Sequence, residues 1–120
     1  MQKKILVVED NPDALEMLSF ILTGEGFSVI TAEDGLQALD LVKTHEPDLI
    51  VTDVDLPNLD GIELTKRLRE QFHSTTLPIV VLSAVGTEIL SDAVKAGANG
   101  AIQKPMQIDS LLTLIKQVLS

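Results

Sequence analysis

Five side chains able to do polar chemistry stand where short apolar runs stop. Glu9 and Asp10 follow Ile5-Leu6-Val7-Val8, Asp53 closes the run Leu49-Ile50-Val51 past Thr52, Ser83 follows Ile79 to Leu82, and Lys104 follows Gly100-Ala101-Ile102-Gln103. Two carboxylates about 4 Å apart repel by roughly 4 kcal/mol at an effective dielectric near 20, so gathering three acids calls for a cation. A hard divalent ion answers that need, and Mg2+ suits one or two carboxylates completed by waters and a phosphate. Asp55, two residues past Asp53, would add a backbone carbonyl or a further carboxylate. Lys104 brings a movable point charge suited to a phosphoryl oxygen, and Ser83 a hydroxyl donor. A carboxylate nucleophile, a metal, a cation and a hydroxyl are the parts from which an aspartyl phosphate is made.

These residues act together only if the ends of the apolar runs share one edge. The runs at 5–8, 49–51 and 79–82 are continuous and rich in β-branched residues, as strands covered on both faces are. Phe27-Ser28-Val29-Ile30-Thr31 alternates and 100–103 is weak, in the manner of sheet-edge strands. Helical spacing fills the gaps, with Leu15, Leu18, Ile21 and Leu22 on one face, Leu36, Leu39 and Val42 on another, and Ile108, Leu111, Leu112, Ile115 and Val118 on a third. Asn11-Pro12 reads as a cap followed by proline at the first helical position. Asp34 with Gln37 and Asp60 with Glu63 have capping-box spacing, and Gly24 and Gly97 sit where a helix C-cap glycine would. Strands alternating with helices predict a doubly wound α/β sheet with right-handed crossovers. In such a sheet the carboxyl ends of the strands emerge together, and ligands bind where strand order reverses.

The composition narrows the field further. A chain of 120 residues is expected to be one domain spanning 1–120, and 45% hydrophobic with 22% charged residues excludes disorder. Phe20, Phe27 and Phe72 are the only aromatics, so the core must be almost wholly aliphatic. Lys+Arg 9 against Asp+Glu 18 gives a net charge of −9, which argues against gripping nucleic acid. With no Cys there is neither a disulfide framework nor a thiolate metal site, which fits a reducing cytosol. The apolar run after Met1-Gln2-Lys3-Lys4 is too short for a signal peptide, and no stretch approaches the roughly 20 residues of a membrane span. Met17 and Met106 read as core filler, and His45 and His73 as surface residues without a catalytic role.

Taken in order, Glu9-Asp10, the stretch from Asp53 to Gly61 (Asp-Val-Asp-Leu-Pro-Asn-Leu-Asp-Gly), Ser83-Ala84 and Lys104-Pro105 resemble the receiver domains of two-component response regulators. The resemblance covers essentially the whole chain. It implies the flavodoxin-like five-stranded parallel sheet with strand order 2-1-3-4-5. It further implies that Asp53 accepts a phosphoryl group from a histidine kinase or phosphotransfer protein. Glu9 and Asp10 would hold Mg2+ directly or through water, Ser83 and Lys104 would bind the phosphoryl oxygens, and Lys104-Pro105 would be a cis peptide. The resemblance thus implies a cytoplasmic switch with slow autodephosphorylation, acting on a downstream effector domain or protein, and not a metabolic enzyme.

Three positions before the lysine, where receivers usually carry Tyr or Phe, stands Ala101, so the family's aromatic switch has no ring to use. Met106 replaces a frequent Phe. Asn99-Gly100 replaces the paired acids of the winged-helix subfamily, which weakens the expectation of its phosphorylation-dependent homodimer. Two other functions share parts of the pattern. Asp53-Val54-Asp55 also begins the nucleophile motif of haloacid-dehalogenase-like phosphatases, but those enzymes differ at Pro57, place the nucleophile after the first strand and need a larger chain. A receiver that binds partners without being phosphorylated is disfavoured by the complete set of acids, Ser83 and Lys104. Neither G-x-G-x-x-G nor a Walker motif occurs, which removes the dinucleotide binders.

Overall fold

In the computed structural model, which describes residues 2–71, 77–84 and 86–120, strands and helices alternate without exception. The order is β1 (Lys4–Val8), α1 (Pro12–Gly24), β2 (Ser28–Ala32), α2 (Gly35–His45), β3 (Leu49–Asp53), α3 (Gly61–Gln71), β4 (Ile79–Ser83), α4 (Thr87–Lys95), β5 (Gly100–Gln103) and α5 (Ile108–Leu119). The five strands form one parallel sheet in the order β2-β1-β3-β4-β5, the flavodoxin-like arrangement that the resemblance implied. Register runs Ile5 to Leu49 and Val8 to Thr52 between β1 and β3, and Asp53 to Leu82 between β3 and β4. Strand order reverses between β1 and β3, so the acids that follow β1 and end β3 flank the reversal.

Alternate strand residues feed two separate cores, because successive side chains on a strand point to opposite faces. Leu6, Val8, Ile50, Ile79 and Val81 pack with Ala38, Leu39 and Val42 of α2, Leu64 and Leu68 of α3, and Ala93 of α4. Ile5, Val7, Leu49, Val51, Val80 and Leu82 pack with Leu18 and Leu22 of α1 and Leu111 and Ile115 of α5. Covering both faces explains why β1, β3 and β4 read as unbroken apolar runs. Phe27 is the one aromatic ring packed against either cluster among the described residues, so the core is aliphatic as expected. Each fully buried Leu, Ile or Val contributes on the order of 1.5–3 kcal/mol relative to leaving it exposed.

Helix starts follow the predicted caps. Asn11 Oδ1 accepts from Ala14 N–H at 3.0 Å with Pro12 at the first helical position, and Asp60 Oδ1 accepts from Glu63 N–H at 2.8 Å. Asp34 Oδ1 accepts from Gln37 N–H at 2.7 Å, while Gln37 Oε1 reaches back to Glu33 N–H at 2.9 Å, one residue earlier than a capping box requires. Three expectations are corrected. Gly24 is not the left-handed terminator of α1: Glu25 N–H bonds back to Ile21 and Leu22, and Gly26 takes the positive φ of 94°. Gly97, at φ 114°, does terminate α4. Leu36 does not share the buried face of Leu39 and Val42. It is 47% exposed, because Gly35, Ala38, Leu39 and Val42 form that face and Leu36 lies beside it. Met17 is 50% exposed and not core filler, standing outside the Leu18–Leu22 stripe of α1. Met106 does pack against the α1–α5 core, and His45 is exposed. Phe72 and His73 lie outside the described residues.

Candidate functional site

The edge of the sheet at the ends of β1, β3 and β4 gathers the polar residues. Glu9 immediately follows β1, with its N–H donating to Ala32 C=O at 3.0 Å, and its side chain is buried to 3% exposure. Asp53 is the last residue of β3 and is 8% exposed, while Asp10 is exposed. One carboxylate oxygen from each of Glu9, Asp10 and Asp53 lies within 4.8 Å of the others. Lys104, just past β5, answers two of them: its Nζ stands 3.2 Å from Glu9 Oε2 and 3.1 Å from Asp53 Oδ1. The other Glu9 oxygen accepts from Asn11 N–H at 3.2 Å, tying the acid to the start of α1.

Backbone bonds fix these positions. Val54 N–H donates to Leu82 C=O at 2.9 Å and Lys104 N–H to Ser83 C=O at 2.7 Å, so the strand ends stay laced just where the sheet runs out. Ser83, fully buried, ends β4 one residue beyond Leu82, the register partner of Asp53. The Lys104-Pro105 peptide is cis. Gly61, opening α3, presses against Asp53, and a Cβ there would collide with the Asp53 carbonyl oxygen. Beside the acids a cavity of about 510 Å³ opens between α1 and the turn after β5, lined by Glu9, Lys104, Met17, Leu18, Pro105 and Met106 among others.

Burial raises the Asp53 carboxyl above its ordinary range, and the nearby charges of Glu9 and Asp55 push the same way, against the pull of Lys104. For Lys104, burial alone would lower the ammonium, but Asp53 and Glu9 outweigh it and hold the group above its usual value. The lysine is therefore a firmly charged counterion inside a cluster that carries more negative charge than it can balance. Of the residues predicted from sequence, Glu9, Asp10, Asp53 and Lys104 are gathered, and Ser83 ends the strand beside Asp53. Asp55 is exposed and its carboxylate is outside the three-acid cluster. Three hard oxygen donors with an uncompensated charge fit a small divalent cation such as Mg2+.

Residues 5–116 match the response regulator receiver domain family. The chain belongs to that family. Among curated relatives of this receiver domain, the alkaline phosphatase synthesis transcriptional regulatory protein PhoP of Bacillus subtilis is 42% identical over 122 residues, 99% of this chain and 49% of that protein. The receiver domain thus spans about half the length of that relative. The polar-differentiation response regulator DivK of Brucella anthropi is 31% identical over 99% of this chain and 98% of its own. Among solved structures, the chemotaxis response regulator CheY4 of Vibrio cholerae superimposes with a TM-score of 0.91 at 32% identity, covering 99% of this chain and 100% of that one.

Sequence reasoning did not find two features of this receiver domain, one beside the site and one remote from it. The first is Asn58, which has φ 68° and donates from Nδ2 to Asp34 Oδ2 at 3.0 Å, linking the segment after Asp53 to α2. Pro57-Asn58 announces a turn but not its distant partner. The second is Arg69, whose guanidinium bonds Leu77 C=O at 2.7 Å, Gly97 C=O at 2.7 and 3.0 Å and Asn99 Oδ1 at 2.9 Å, at the opposite edge of the sheet from the acids. Ala101, partly buried in β5 against the α2–α3–α4 core, carries no ring. Among the described residues no helix is long and apolar enough to cross a membrane.

Proposed function

We propose that this receiver domain, taken as a single domain over residues 1–120, is a phosphorylation-controlled switch with Asp53 as the phosphoacceptor. The reading rests on one observation: Lys104 Nζ lies 3.1 Å from Asp53 Oδ1, beside Glu9 and Asp10, at the reversal point of the sheet. An Asp53 carboxylate oxygen attacks the phosphorus of a phosphohistidine on a histidine kinase or phosphotransfer protein. The new P–O bond forms as the P–N bond breaks, and the departing imidazole nitrogen takes up a proton. Lys104 and the Ser83 hydroxyl bind the phosphoryl oxygens and hold the product. Glu9, Asp10, Asp53 and the Asp55 backbone carbonyl would hold Mg2+, which offsets negative charge on the acids and the transferred group.

The phosphorylated form then favours one of two conformations and so changes what the domain binds, a shift of at most a few kcal/mol. The partner is a downstream effector domain or protein, the setting cytoplasmic, and the output independent of an aromatic ring at position 101. A phosphorylation-dependent homodimer is the alternative form of output. With a net charge of −9, direct nucleic-acid binding by this domain is disfavoured. Incubation with Mg2+ and acetyl phosphate should add one phosphoryl group by intact mass, and Asp53→Asn should abolish it. Labelling that persists in Asp53→Asn would refute the assignment, and multiple-turnover phosphate release from metabolites would favour a phosphatase instead.

A further inference from the structure

The segment that follows Asp53, residues 54–60, contains a strained turn. Leu59 N–H donates to Pro57 C=O at 2.7 Å, closing a three-residue turn whose central residue, Asn58, has φ 68°. Turns of this hand are rare, and a non-glycine residue stays at positive φ only where its surroundings hold it there. The start of α2 does the holding. Asp34 Oδ2 accepts from Asn58 Nδ2 at 3.0 Å while its Oδ1 accepts from Gln37 N–H at 2.7 Å, so one carboxylate serves the helix and the turn together. Next to it, buried Leu59 lies so close to Gly35 that a Cβ on the glycine would meet Leu59 Cβ at 2.7 Å and collide with its carbonyl oxygen.

Elsewhere Val54 and Leu56 pack against the α2–α3–α4 core, the Asp60 side chain caps α3, and backbone bonds hold the two ends of the segment. Val54 N–H bonds to Leu82 C=O at 2.9 Å, and Gly61 N–H to Val54 C=O at 2.9 Å. Those bonds set where the segment leaves β3 and where it enters α3, but not the path between. Asp34 belongs to an element that supplies none of the clustered acids, yet it governs the turn just beyond Asp55. Both carboxylate oxygens of Asp34 are thereby committed, and the hydrogen bonds from Gln37 and Asn58 keep the acid ionised to lower pH than usual.

We infer that the Asp34–Asn58 hydrogen bond is a positioning clasp, which sets the course of residues 54–60 and thereby aligns Asp53 and the Asp55 backbone for phosphoryl transfer. The inference rests on the phosphoacceptor reading. Neither side chain touches the transferred group, so both are positioning residues. Errors of about 1 Å in such alignment cost as much as 100-fold in rate.

The test uses Asp34→Ser, which keeps a strong helix cap while losing the second oxygen, and Asn58→Gly, which keeps the positive φ while losing the donor. With acetyl phosphate at saturating Mg2+, well below the melting temperature, each variant should label about tenfold more slowly than the parent. The double variant should be no slower than either single one, because both remove the same bond. Rates within twofold of the parent, or effects that multiply, overturn the clasp, as would a lower melting temperature with an unchanged rate. A second arm needs no phosphoryl group: amide resonances of Asp55, Leu56, Leu59 and Asp60 should move alike in both variants of the metal-free protein. Unmoved resonances overturn the clasp whatever the labelling shows. A parent protein that takes no label at all overturns the phosphoacceptor reading instead, and the transfer role with it.

Discussion

At the scale of single residues, the chemistry and the stability of Asp53 pull in opposite directions. Burial raises its carboxyl, so the charged form is less comfortable in the folded chain than in the unfolded one. A group whose folded value lies above its unfolded value lowers stability at every pH above both, and the penalty fades as pH falls through them. Replacing Asp53 by the neutral, isosteric Asn should therefore raise the stability of the metal-free protein at pH 7. The gain is limited to about 1 kcal/mol or less, because Lys104 loses one of its two partners. The advantage should vanish as pH drops below about 4, where both forms are neutral. Urea unfolding followed by circular dichroism measures it, since the chain has no Trp or Tyr to report by fluorescence. A less stable Asp53→Asn at pH 7 would mean that the Lys104 pair outweighs burial. On the proposed phosphoacceptor reading, stability at Asp53 would be given up for reactivity, as functional sites commonly require.

At the scale of elements, two glycines make opposite predictions from the same substitution. Gly61→Ala would drive a Cβ into the Asp53 carbonyl oxygen and to within 3.0 Å of Val54 Cα, both backbone atoms that cannot step aside. It should cost about 1–3 kcal/mol and displace the end of β3. Gly24, the last residue of α1, has nothing within 4 Å of an added Cβ and is outside the positive-φ region, so Gly24→Ala should stabilise by about 0.4–1 kcal/mol. Denaturant midpoints for the pair decide it, and equal shifts of one sign would show that neither environment is as described. The same contrast shows what a sequence makes visible. β1, β3 and β4 were legible because strands buried on both faces need unbroken apolar runs, and the acids stood out because nothing apolar explains them at those ends. Leu36 was misread because helical spacing locates a stripe but not its width, and Met17 because an apolar residue type does not say which face of the helix it takes. Gly24 looked like a terminator because glycine signals a stop without saying which of two glycines takes the left-handed turn. Asn58 and Arg69 were invisible because their partners, Asp34 and the carbonyls of Leu77 and Gly97, are chosen by tertiary packing alone.

At the scale of the whole molecule, a net charge of −9 makes two effects of added cations easy to confuse. Any salt screens general self-repulsion, with a Debye length near 10 Å at 0.1 M, and this stabilises an acidic fold irrespective of ion identity. A cation taken up by Glu9, Asp10 and Asp53 acts otherwise, because the three carboxylates come within 4.8 Å of one another only in the folded chain. Selective binding to the folded state adds RT ln(1 + [L]/Kd), about 2.7 kcal/mol at a hundredfold excess over Kd. For a chain of this size each kcal/mol moves the melting temperature by roughly 3–6 °C. Mg2+ should therefore raise the melting temperature well beyond what NaCl achieves at matched ionic strength, with a saturable dependence on concentration. Asp10→Asn should abolish the Mg2+ excess while leaving the NaCl response intact, since it removes one exposed ligand and barely alters the total charge. Identical responses to the two salts would reduce the acid cluster to one more patch of negative surface. A Mg2+ excess that survives Asp10→Asn would place the ion elsewhere on the molecule.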